Sequence, residues 1–119
     1  MTDDASPISI RRLQREIVRL TEGIEHPRVG AALALGEECG EVMRCVIDQE
    51  YYGKDIGDAL EDELGDLLIA TCEVADRFGI SLEAAAHRAL AKLERKAPGW
   101  REELGDHLAV LRRRMDGDA

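Results

Sequence analysis

Two short acidic runs hold the residues most able to do chemistry: Glu37, Glu38 and Glu41 in LALGEECGEVM, and Glu63 and Asp66 in EDELGDLL. Both contain carboxylates three positions apart. On a helix such positions are surface neighbours, with Cβ atoms about 5–6 Å apart, so each run aims a pair of carboxylates at one point. Like charges so placed repel unless a cation lies between them. An all-oxygen donor set suits a hard cation, Mg²⁺ or Mn²⁺. The competing reading of the same spacing is a solvated acidic face. The Glu-x-x-His spacing of di-iron bundles is absent, and His26, His87 and His107 stand at no ligand spacing, which makes each a solvated or capping side chain. The chain has no Walker P-loop, no GxGxxG and no GxSxG, so a bound phosphate would be held through metal and side chains.

The elements that must position these carboxylates are helical. Ile10, Leu13, Ile17 and Leu20 recur at steps of three and four, which predicts a first helix from about Ser9 to Glu22 after a flexible acidic start. Pro27 interrupts the chain, and a second helix is expected from Arg28 to Gln49, with Leu35, Cys39, Val42 and Val46 on its apolar arc. On that wheel Glu38 falls within the edge of the arc, Glu41 just outside it and Glu37 further toward solvent. Tyr51–Gly57 contains two glycines and no period, and reads as a loop. Asp58 and Glu61 have capping-box spacing at the start of a third helix running to Phe78, with Glu63 and Asp66 beside its apolar arc and Gly79 as its left-handed cap. A fourth helix from Ser81 ends near Lys96 before Pro98 and Gly99, and a fifth segment runs from Trp100 to about Arg114, ahead of a frayed tail. Lys92 and Lys96 lie four apart on one flank of the fourth helix, where snorkelling is the plain alternative to phosphate contact. Lys54 is the one lysine of the acidic loop, and Trp100 reads as a core anchor. These features predict an all-α, antiparallel bundle of four to five helices in one domain, residues 1–119, in which the two acidic runs converge on one cleft.

Composition excludes several classes. With 25 acidic against 16 basic residues, the net charge is −9. Residues 31–66 hold eleven acids and two bases, whereas the segments on either side are balanced. That argues against nucleic acid or an anionic membrane as partner, because both require a basic patch. No apolar run approaches the roughly 20 residues of a membrane span, and MTDDASPISIRR lacks the order of a signal peptide, so a cytoplasmic location is expected. Cys39, Cys45 and Cys72 form no CxxC pair and fall in apolar helical patterns, which predicts three buried, reduced thiols. With 3% aromatic residues the core must be aliphatic and small, and a second copy is expected to complete it as a homodimer or homotetramer.

With these residues laid out, the chain resembles the MazG-like, all-α nucleoside triphosphate pyrophosphohydrolases. The family pattern EExxE followed by ExxD reads here as Glu37-Glu38-Cys39-Gly40-Glu41 and Glu63-Leu64-Gly65-Asp66, and the similarity covers roughly residues 29 to 96. The resemblance implies that Glu38, Glu41, Glu63 and Asp66 ligate Mg²⁺ and that Glu37 supports the site or helps activate water. It also implies that Lys92 approaches the phosphates; Lys96, on the same flank of helix four, and Lys54, in the acidic loop, are further candidate phosphate contacts from their own positions. The implied reaction splits a nucleoside triphosphate between its α and β phosphates into a monophosphate and pyrophosphate. One departure stands out: the family often places an Asn and then an Arg shortly after the helix-four Lys, whereas Lys96 is followed by Ala97-Pro98-Gly99-Trp100. Two alternatives remain: a helical assembly or regulatory module without turnover, and a hydrolase for a different pyrophosphate-containing molecule.

Overall fold

The computed structural model describes residues 6–117, which form four helices and no strand: α1 (Ile10–Leu20), α2 (Arg28–Glu50), α3 (Ala59–Arg77) and α4 (Leu82–Asp116). The fold is all-α, as the periodicity requires. The acidic start expected to be flexible, residues 1–5, lies outside the described residues. Two compact units make up the chain, Met1–Glu83 and Ala84–Ala119. All five acidic candidates belong to the first.

Each helix of the first unit starts and stops for a local reason. Ser9 caps α1, its Oγ accepting a hydrogen bond from the Arg12 backbone N–H at 3.0 Å. Pro27 opens α2, where its missing N–H costs nothing because the first N–H groups of a helix have no intrahelical partner. The capping box expected at Asp58 does not form. Its backbone, at φ −88° and ψ 7°, is not the extended conformation a side-chain cap needs, and the carboxylate makes no cap hydrogen bond. The loop is organised one turn earlier, where Asp55 Oδ1 accepts from the Gly57 N–H at 3.0 Å and Gly57 takes φ +52°. At the end of α3, Gly79 adopts φ +67° and the Ile80 N–H returns to the Ala75 carbonyl at 2.8 Å, so the expected glycine cap is present.

The short loop turns α3 back antiparallel along α2, and these two helices form the main packing pair, with α1 against α3. Gln14 ties α1 to the turn that follows α3. Its Nε2 donates to the Ile80 carbonyl at 2.8 Å and its Oε1 accepts from the Leu82 N–H at 3.0 Å, while Arg11 pairs with Glu83. Among the described residues the buried core is Ile17, Ala31, Ala70, Cys72 and Ala75. Small side chains at the seam let the helices approach closely, and this decides which face of α2 turns inward. Ala31 is buried and Ala34, Leu35, Glu38, Val42 and Cys45 are half-buried, whereas Cys39 and Val46 are exposed. Of the three cysteines expected to be buried, only Cys72 is; all three are free thiols.

The expected break at Pro98 and Gly99 is also absent, since α4 is one helix of 35 residues with Pro98 inside it. Pro98 removes a single hydrogen bond, whereas stopping there would require a second, costly nucleation in a stretch rich in Leu, Ala, Glu and Arg. The helix also continues two residues past Arg114, through Asp116, where a frayed tail was expected.

Candidate metal centre

α2 and α3 together do what neither acidic run does alone. Glu38, one residue C-terminal to the exposed Glu37, is carried into the seam by the inward turn of the Ala31 and Ala34 face, and α3 presents Glu63 and Asp66 one turn apart on the opposing side. One carboxylate oxygen from each of Glu38, Glu63 and Asp66 lies within 4.8 Å of the other two. Glu41, the fourth expected ligand, is exposed and stands outside that group of three, but its charge acts on it.

The electrostatics report crowded negative charge. Desolvation pushes the Glu63 carboxyl above its ordinary value, and Glu41, Asp66, Glu38 and Asp62 push it further. Cys45, one turn beyond Glu41, responds in the same way: desolvation raises its thiol pKa, and Glu63, Asp48 and Glu41 add to the rise. The donor set fits a hard divalent cation. All three donors are carboxylate oxygens, the ligand type that Mg²⁺ and Mn²⁺ prefer.

The lysines are distributed differently. Lys54 is drawn to Asp48, its Nζ 3.6 Å from Oδ1, and lies over the Tyr52 ring, while Arg44 reaches the same oxygen at 3.2 Å. Lys92 and Lys96 are exposed on α4, in the second unit.

Beside the acidic trio opens a cavity of about 360 Å³, whose wall includes Glu38 and Asp66. Its apolar surface comes from Ile17, Ile24, Ala34, Ile69 and Ala70, and Thr21, His26 and Glu73 complete it. His26 Nδ1 lies 2.8 Å from Glu73 Oε1, and the His26 backbone N–H approaches Oε2 at 3.4 Å. The spacing of the sequence gave no sign of this pair. Glu73 follows Asp66 by seven residues, two helical turns, which is the one signal that places it on the same face.

Acidic pairs on two adjacent helices narrow the class, and comparison with known families decides it: residues 30–100 match the MazG nucleotide pyrophosphohydrolase domain. The chain belongs to that family. No curated protein and no solved structure gave a match. The match takes in α3 whole, nearly all of α2 and the first half of α4, so the acidic trio and most of the cavity wall are part of the MazG domain. α1, which supplies Ile17 to the cavity, precedes the matched residues. In the described residues of this MazG protein no helix is long and apolar enough to cross a membrane.

Proposed function

We propose that the protein is a Mg²⁺-dependent pyrophosphohydrolase that cleaves a nucleoside triphosphate between its α and β phosphates, releasing a nucleoside monophosphate and pyrophosphate. The observation that carries this reading is the meeting of Glu38, Glu63 and Asp66 within a MazG domain, with Glu38 and Asp66 also lining a cavity of about 360 Å³. Glu38, Glu63, Asp66 and Glu41 would hold the cation, with Mn²⁺ as an alternative occupant. When bound, it would neutralise the phosphate charge and polarise the phosphoryl group. Glu37, exposed beside Glu38, is suited to accept a proton from the attacking water or to orient it. The apolar wall of Ile17, Ile24, Ile69 and Ala70 is suited to take up the sugar and base and exclude water from them. The family resemblance assigns Lys92 to the phosphates, and Lys96 and Lys54, the lysine that approaches Asp48, are the remaining candidates. Product identity tests the reaction. Phosphorus NMR of a triphosphate incubated with protein and Mg²⁺ is expected to show monophosphate and pyrophosphate; diphosphate with inorganic phosphate would contradict the reading.

The active unit in this proposal is a homodimer or homotetramer. Leu33, Met43 and Leu68 are 67%, 60% and 54% exposed, and a second copy would cover these apolar side chains, which a chain with so small a core leaves to water. Sedimentation of a monomer at micromolar concentration would contradict it. A cytoplasmic location is part of the same proposal, and the three free cysteines are compatible with a reducing compartment.

A further inference from the structure

Glu73 stands outside the acidic trio, yet it lines the same cavity, separated from Asp66 by the apolar Ile69 and Ala70. Its side chain is 15% exposed, and among the described residues its one ion-pair partner is His26. Each oxygen accepts one contact, from the His26 ring at 2.8 Å and from the His26 backbone N–H at 3.4 Å. A carboxylate can accept about four hydrogen bonds, so acceptor capacity remains. The placement along α3 matters as much. Seven residues at about 1.5 Å each put Glu73 roughly 10 Å along the helix from Asp66. That is comparable to the reach from an α-phosphate across the sugar to the outer edge of a base. Ile69 and Ala70 occupy the wall between them.

Resting on the pyrophosphohydrolase reading, we propose that Glu73, oriented by His26, is a specificity-determining residue that selects bases carrying an exocyclic amino group at the edge farthest from the sugar. Cytosine and adenine present an N–H₂ donor there. Uracil and hypoxanthine present a carbonyl oxygen, which a carboxylate repels. A charge-assisted hydrogen bond in a partly desolvated cavity separates the two classes by about tenfold or more.

Binding tests this independently of turnover. The α,β-methylene triphosphates of cytidine, uridine, adenosine and inosine would be titrated calorimetrically with Mg²⁺ into the native protein and into Glu73→Gln. The native protein is expected to favour cytidine over uridine, and adenosine over inosine, by about tenfold or more, and Glu73→Gln to shrink each ratio to within about threefold. Equal affinity within both pairs in the native protein overturns the inference, as does a preference that survives in Glu73→Gln or a failure of all four to bind. Should Glu73→Gln not fold, the native ratios decide alone. A native preference without pyrophosphate release from ordinary triphosphates would leave the specificity assignment standing and sink the catalytic reading.

Discussion

Glu38 on α2 and Glu63 on α3 bring carboxylate oxygens within 4.8 Å of each other across the helix seam, with Asp66 one turn from Glu63 completing the trio. Three negative groups held that close by packing rather than by mutual attraction form a site waiting for positive charge. On the proposed reading, a divalent cation held there would relieve a repulsion already built into the fold.

Mg²⁺ is accordingly expected to raise the melting temperature of the native protein relative to the same protein in EDTA. At one hundred times its dissociation constant a ligand specific for the folded state adds about 2.7 kcal/mol. Asp66→Asn should lose most of that increment while keeping its helical circular dichroism. An equal increment in the variant would remove Asp66 from the site.

A pH dependence follows from Glu63. Its carboxyl is raised above the ordinary 4.5 by desolvation and then by Glu41, Asp66, Glu38 and Asp62. The unfolded chain thus releases this proton first, and the folded state loses stability as pH climbs through 4.5 toward the raised value. Below 4.5 the penalty is absent. In EDTA, Glu63→Gln should melt higher than the native protein at pH 7, and the difference should close below pH 4.5. Parallel melting curves across that range would contradict the electrostatic account.

Pro98 is exposed inside α4 and leaves one carbonyl of the preceding turn without its helical donor. Pro98→Ala restores the donor and a better helix former, and should stabilise α4 by about 1–3 kcal/mol, read as a higher urea midpoint. A lower midpoint would mean that the proline fits a local bend the helix needs.

Much of this was legible in the sequence because it is local. The periodicity of Ile10, Leu13 and Ile17, the proline at 27 and the glycine at 79 act within a few residues, and the helices they bound appear where expected. The meeting of Glu38 with Glu63 and Asp66 was also legible, since two E-x-x-E/D runs on a short helical hairpin face each other once it closes. What was not legible depended on competition beyond the local pattern. α2 offers apolar residues on two sides, and tight packing at Ala31 turned Cys39 and Val46 outward. Pro98 and Gly99 read as a stop, but strong helix formers on both sides carried α4 through them. The His26–Glu73 contact joins residues far apart in the chain and has no spacing to announce it.

The most direct test of the central claim is pyrophosphate release from a panel of ribo- and deoxyribonucleoside triphosphates with Mg²⁺, comparing the native protein with Glu38→Gln and Asp66→Asn. Losing a cation ligand removes several kcal/mol of transition-state stabilisation, so each variant should fall by about a hundredfold or more in kcat/KM with its fold intact. Native rates in both variants, or no pyrophosphate from any nucleotide with the native protein, would contradict the assignment of this chemistry to α2 and α3.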